Sequence, residues 1–210
     1  CRITATKAAS GIYDVATAYK DISVVAEPTP TLTFSTPTSA TITLLGSLTN
    51  AVTSTAVGSS TFPVGAITYS SSNTAVATVN SANGQITPVA AGTTTITASQ
   101  AQGPGANSAA TQTYTLTVTL VPQATFTVTA SSTSLIQGGS TATLSTTGGS
   151  GSGTVTYAIT SGQSSCTLNG NTVTSTSTLG TCRITATKAA YAVYDVATAT
   201  VDIGVGNAPT

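Results

Sequence analysis

Thr113-Tyr114-Thr115-Leu116-Thr117-Val118-Thr119-Leu120 alternates a hydroxyl with an apolar side chain at every step. In an extended chain successive side chains point to opposite faces, so Tyr114, Leu116, Val118 and Leu120 share one side and the threonines the other. Threonine suits the outward positions because it is β-branched and offers its hydroxyl to water. The same alternation recurs in Leu32 and Phe34 with Thr31 and Thr33, and in Phe126 and Val128 with Thr125, Thr127 and Thr129. It returns in Ile184 and Ala186 with Arg183, Thr185 and Thr187.

Between these runs fall turn signals: Asn83-Gly84, Gly138-Gly139, Gly148-Gly149, Asn169-Gly170 and the Gly103-Pro104-Gly105 stretch. No segment carries a helical period. Many short strands with closely spaced turns predict an all-β chain of sandwich modules. Proline-bearing stretches near Pro28 to Pro30 and at Val121-Pro122 read as junctions, which predicts modules at 29–121 and 122–207 and the start of a further linker at 208–210.

Self-similarity refines that division. Cys1-Arg2-Ile3-Thr4-Ala5-Thr6-Lys7-Ala8-Ala9 recurs unchanged from Cys182 to Ala190, a shift of 182 − 1 = 181 residues. The echo continues from Tyr13-Asp14-Val15-Ala16-Thr17-Ala18 to Tyr194-Asp195-Val196-Ala197-Thr198-Ala199, and from Asp21-Ile22 to Asp202-Ile203. Such a period is about twice the ~100 residues of one sandwich, so the repeating unit is read as a pair of unlike modules. Residues 1–28 are then expected to be the last two strands of a preceding module, with the chain opening in mid-module. Two strands alone cannot bury a face.

From Tyr69 to Ser99 the chain reads Tyr-Ser-Ser-Ser-Asn-Thr-Ala-Val-Ala-Thr-Val-Asn-Ser-Ala-Asn-Gly-Gln-Ile-Thr-Pro-Val-Ala-Ala-Gly-Thr-Thr-Thr-Ile-Thr-Ala-Ser. This stretch resembles the bacterial immunoglobulin-like group 2 domain of invasin- and intimin-type surface proteins. Val76, Ala77 and Val79 match the family's core strand, Asn83-Gly84 its hairpin, and Gly92 with Ile96 the strand that follows. The second module resembles another group of bacterial surface repeats through Gly180-Thr-Cys-Arg-Ile-Thr-Ala-Thr-Lys-Ala and Tyr194. Both resemblances imply tandem immunoglobulin-like β-sandwich modules in an extracellular setting, on a bacterial cell surface or in a secreted fibre. Neither implies a ligand, because one fold hosts many functions.

Charge narrows the function further. The 210 residues carry 5 Lys+Arg, 5 Asp+Glu and no His, so there is no field to attract nucleic acid or an anionic membrane. No apolar run reaches the ~20 residues that cross a bilayer, and no charged-then-apolar leader opens the chain. All the charges lie in two clusters, Arg2 to Glu27 and Arg183 to Asp202, and none falls from Pro28 to Cys182. The 40% hydrophobic content nonetheless supplies ordinary small β cores, which argues against disorder.

Cys166 and Cys182 bracket the Asn169-Gly170 turn within one module, and a disulfide between them is the economical reading. Cys1 is then unpaired by truncation, its partner lying upstream. A nucleophilic cysteine would need an activating base, and the chain has no His. No paired carboxylates can be assembled between Pro28 and Cys182, so no catalytic site, metal site or cofactor is expected. Asp195 and Asp202 are read as solvated strand charges rather than a weak ion site, and Lys188 as a surface lysine rather than half of a Lys-Asn crosslink. Tyr13 and Tyr194 are read as sheet-corner tyrosines in preference to a sugar-stacking pair. Lys20, at the repeat position of Val201, is expected to face inward.

These readings predict a structural segment rather than an enzyme: a stiff stalk or fibre shaft presenting an adhesive or assembly domain, its partners being neighbouring repeats of the same chain. One alternative is a self-assembling filament in which residues 1–28 complete a module in an identical subunit, head to tail. Another is a carbohydrate- or ice-binding module built on Tyr and Thr. Against that alternative, the threonines lie on strands of different modules without a short fixed repeat, so no flat array is expected.

Overall fold

The structure is a computed structural model describing residues 1–23, 29–35, 38–56, 64–103 and 109–208. Glu27, the Pro28 end of the first junction, the Pro104-Gly105 part of the glycine-proline turn and the last two residues of the 208–210 linker lie outside the described residues.

The alternating runs form strands, and no helix occurs among the described residues. At the N-terminus, β1 (Arg2–Lys7) and β2 (Ala16–Asp21) pair as an antiparallel hairpin in register from Arg2 opposite Asp21 to Lys7 opposite Ala16. The next nine strands are β3 (Leu32–Phe34), β4 (Ser39–Thr43), β5 (Leu48–Thr49), β6 (Val52–Ser54), β7 (Ile67–Ser71), β8 (Ala77–Val79), β9 (Gln85–Pro88), β10 (Gly92–Gln100) and β11 (Ala110–Thr119). A sheet in the order β4-β11-β10-β7 faces the two-stranded β3-β6 and the three-stranded β5-β9-β8. Strands β5 and β6 act as one interrupted strand: β5 pairs with β9, β6 pairs with β3, and buried Asn50 sits in the break.

The last eight strands are β12 (Phe126–Ala130), β13 (Ser134–Ile136), β14 (Thr141–Gly148), β15 (Val155–Ser161), β16 (Cys166–Asn169), β17 (Thr172–Ser175), β18 (Gly180–Lys188) and β19 (Ala197–Gly206). They form two sheets, β12-β14-β17-β16 and β13-β19-β18-β15. In both groups the first strand's continuation crosses over and adds in parallel to the last strand, β4 to β11 and β13 to β19. With that crossover each group takes the two-sheet connectivity of an immunoglobulin-like sandwich.

Burial follows the alternation. The core of the first group contains Phe34, Tyr69, Ala77, Ile86, Ile96, Tyr114, Leu116 and Val118, and Phe34 meets Tyr114 edge to face at 4.8 Å. That of the second contains Phe126, Val128, Leu144, Val173, Ile184, Ala186 and Ile203, with Cys166 and Cys182 among them.

The turns are built differently from their simplest sequence reading. Asn169 is the last paired residue of its hairpin, opposite Thr172, so the loop is Gly170-Asn171 with Gly170 at φ 58°. Asn83-Gly84 lies in a longer loop organised by Asn80, whose side-chain oxygen accepts from the Ala82 and Asn83 amides at 2.9 and 3.3 Å. Gly84, at φ 73°, presses against the Tyr69 ring, where no larger residue would fit without displacement.

Candidate interaction surfaces

Cys166 ends up opposite Cys182 because β16 lies at the edge of one sheet and β18 inside the other, so the bridge crosses the core. The two sulfurs are bonded, with Cα atoms 6.4 Å apart. Cys1, the repeat counterpart of Cys182, is exposed and free.

The charged side chains pair locally instead of gathering. Arg183 makes a two-pronged contact with Asp202 across β18 and β19, both bonds at 2.8 Å. Arg2 repeats it with Asp21 at 2.7 and 2.9 Å, and its guanidinium also lies 4.3 Å over the Tyr19 ring. Hydrogen bonding to the guanidinium holds the Asp202 and Asp21 carboxyls below their ordinary value and raises both arginines. Asp195 instead accepts from the Val196 amide at 2.7 Å, so it and Asp202 are engaged separately. Among the described residues no three of His, Cys, Asp or Glu come together as a metal set. No described helix is long and apolar enough to cross a membrane.

Tyr194 is half-buried in a tight turn with Tyr191, paired through two 3.0 Å backbone bonds, and it bridges to Val121. Its ring packs beside Gly151, and its hydroxyl bonds no described residue, so the backbone pairs and ring packing hold this corner. Tyr13 forms the same turn with Ser10 but is exposed. Lys188 reaches the Gly148 carbonyl at 3.3 Å. Lys20, expected inward, is exposed like every other described residue of the hairpin, because no second sheet among the described residues covers it.

The threonines line up in rows across neighbouring strands. Pairing of β10, β11 and β4 lines up Thr93, Thr117 and Thr41 in one row and Thr95, Thr115 and Ser39 in the next. Thr97 and Thr113 continue it with Ser70 of β7. Strands distant in sequence supply each row, so no short repeat was there to be read. None of the Thr93, Thr95, Thr97, Thr113, Thr115 and Thr117 hydroxyls bonds another described residue, which leaves them to water. In the second group some outward threonines bond one another across strands, as in Thr127 with Thr147 at 2.7 Å and Thr160 with Thr185 at 3.0 Å.

An uncovered apolar face belongs to the hairpin. Cys1, Ile3, Ala5, Ala18 and Ile22 lie where Cys182, Ile184, Ala186, Ala199 and Ile203 lie in the β18–β19 pair. Ile3 is 56% and Ile22 44% exposed, whereas Ile184 and Ile203 are 0% exposed. Residue-by-residue transfer along the 181-residue period is the sequence signal that locates this surface.

Residues 50–102 match the family model described as the intimin immunoglobulin-like domain. The Tyr69 to Ser99 stretch falls inside that match, so the intimin-type resemblance holds for this segment. No curated protein matches the chain in sequence. Similar solved structures include mouse protocadherin-24 EC1-3, 13% identical over 99% of this chain and 79% of that one, with a TM-score of 0.36. Mouse cadherin-23 EC22-24 is 14% identical over 99% and 74%, with a TM-score of 0.36. The S-layer protein rSbsC(31-844) is 14% identical over 100% of this chain and 35% of that one, with a TM-score of 0.34.

Proposed function

We propose that the chain is a non-catalytic structural segment of an extracellular bacterial surface protein, a stiff shaft that holds an adhesive or assembly region away from the cell. The observation that carries this reading is the succession of two sandwiches of the same connectivity whose outward faces are clothed in hydroxyls rather than charge. Such faces stay solvated without steering any charged ligand. The intimin-type match over residues 50–102 supports the extracellular setting, as does the core-crossing disulfide, which persists in oxidising compartments. Stiffness would come from paired strands and short junctions acting in series.

Small-angle scattering from polypeptides of one, two and three 181-residue periods tests the shaft. A cross-sectional radius that stays constant while the length rises in proportion to the number of periods is expected. A compact particle at three periods would overturn the reading.

The threonine rows on β4, β11 and β10 favour one second reading, a surface that orders water or lies against the hydroxyls of a carbohydrate. Thermal hysteresis and pull-down on insoluble polysaccharides, compared between the native chain and Thr95→Val/Thr115→Val, test it. No hysteresis and no retention would remove it.

A further inference from the structure

The chain's two Asn-Gly pairs, Asn83-Gly84 and Asn169-Gly170, are the same dipeptide in different settings. A glycine after asparagine leaves its amide nitrogen unshielded by any side chain, so that nitrogen can close on the asparagine's own carboxamide carbon. What else holds the two groups decides whether it does.

In the first sandwich both are held. The Gly84 amide donates to the Asn80 carbonyl at 2.9 Å, and Asn83 Oδ1 accepts from the Gln85 amide at 3.0 Å. Gly84 is buried, its Cβ position 3.0 Å from the Tyr69 ring and 3.1 Å from the Asn50 carbonyl oxygen, so the peptide has no room to turn.

In the second sandwich neither is held. Gly170 is exposed, its amide donates to no described residue, and nothing stands within 4 Å of its Cβ position. The Asn169 carboxamide is exposed at the end of β16 and bonds no described residue. Only the last pair of the hairpin, Asn169 with Thr172, must open for the peptide to turn, and such ends open at low cost. Asn171 in the same loop is not equivalent. Its carbonyl and carboxamide are tied to Leu144 at 2.8 and 3.1 Å, and the branched side chain of Thr172 shields the amide that follows it.

We propose that Asn169 is a self-modification site that converts to aspartate and isoaspartate with water as its co-reactant, while Asn83 is protected by its loop. The Gly170 nitrogen gives up its proton and bonds to Asn169 Cγ; the Cγ–Nδ2 bond breaks, and ammonia leaves with that proton. Water then opens the resulting succinimide at either of its carbonyls, one giving aspartate and the other isoaspartate. Either product places a carboxylate in the span from Pro28 to Cys182, where the chain otherwise carries no formal charge. Isoaspartate also lengthens the main chain at position 169 and removes the pair with Thr172. The Cys166–Cys182 bond keeps the rest of β16 in place, so the change stays at the hairpin tip. The second sandwich thereby acquires a charge that records the age of the molecule. Neither the shaft reading nor the water-ordering one is needed for it.

The test incubates the full native chain, folded and oxidised, at mildly alkaline pH in heavy-oxygen water and follows both asparagines by peptide mass spectrometry. The expected result is aspartate and isoaspartate carrying one heavy oxygen at position 169, appearing on the order of tenfold sooner than at position 83. In the reduced chain in urea the two loops no longer differ, and the sites are expected to convert at similar rates. On isoelectric focusing the folded native chain gains an acidic band that Asn169→Gln lacks over the same period. Conversion of Asn83 as fast as Asn169 in the folded chain overturns the proposal, as does a folded Asn169 that stays intact long after the unfolded one has converted. A difference that persists unchanged in urea would assign the effect to local sequence and overturn it too. So would an acidic band that Asn169→Gln gains at the native rate.

Discussion

Ala192 holds, at φ 53°, the backbone position that Gly11 holds at 62° in the N-terminal copy. Both are the first loop residue of a two-residue turn closed by paired backbone bonds, Ser10 with Tyr13 and Tyr191 with Tyr194. A left-handed alanine costs ~1–2 kcal/mol, part of which a glycine returns through the entropy of the unfolded chain. Ala192→Gly is therefore expected to stabilise the second sandwich by about 0.5–1 kcal/mol, read from urea unfolding. A loss of stability would show that the alanine methyl contributes packing of its own.

Two buried tyrosines predict opposite outcomes for the same substitution. The Tyr69 hydroxyl accepts from the Val52 amide at 3.0 Å, at the interrupted strand. Tyr69→Phe leaves that amide without its partner and is expected to cost about 1–2 kcal/mol. The Tyr114 hydroxyl is buried without a well-formed hydrogen bond, so Tyr114→Phe is expected to be neutral or mildly stabilising.

Burial raises the Tyr114 phenol, and the Asn50 amide offsets only part of that effect. A raised folded value means stability is fully present below the unfolded phenol value of ~10 and is lost as pH climbs through the folded one. The native chain should thus lose stability above about pH 10 more steeply than Tyr114→Phe. Thermal melts between neutral and alkaline pH make the comparison, and parallel curves would contradict it.

Cys166 and Cys182 close a loop with a sequence separation of 16, a span for which cross-linking contributes on the order of 3 kcal/mol. Cys166→Ala/Cys182→Ala is expected to lose about that much in the second sandwich only. Residue-resolved amide exchange should show Leu144 and Ile184 losing protection while Leu116 and Ile96 keep theirs, because the two cores share no residue.

Gly148 and Gly170 both have positive φ, at 78° and 58°, but differ in their surroundings. A Cβ on Gly148 would collide with the Thr125 carbonyl oxygen, whereas nothing stands within 4 Å of one on Gly170. Gly170→Ala should cost about 1 kcal/mol from backbone strain alone. Gly148→Ala should cost at least ~2 kcal/mol more, because the pairing of Phe126 with Gly148 has to open. Equal costs in chemical denaturation would refute the steric account.

Much of this was legible in the sequence because it is local. Alternation in the Tyr114 to Leu120 run names the inward residues, and Tyr114, Leu116 and Val118 are indeed the buried ones. Non-local relationships were not legible. Strands β4, β10 and β11 carry threonines separated by dozens of residues, and only their pairing makes rows of them. The Asn83-Gly84 signal marked a turn but not its length, which Asn80 sets through side-chain bonds to the following amides.

By itself the sequence determined that the chain folds into β-strands, which side chains of each strand are apolar, and that one stretch occurs twice. Tertiary structure decided what those faces meet. Cys1 to Ala9 and Cys182 to Ala190 are identical and form the same hairpin in the same register, yet Ile184 is wholly buried while Ile3 stands open to solvent. The alternation that selects a strand is a property of neighbouring residues. Burial requires a second sheet about 10 Å away, and here only one of the two copies has it.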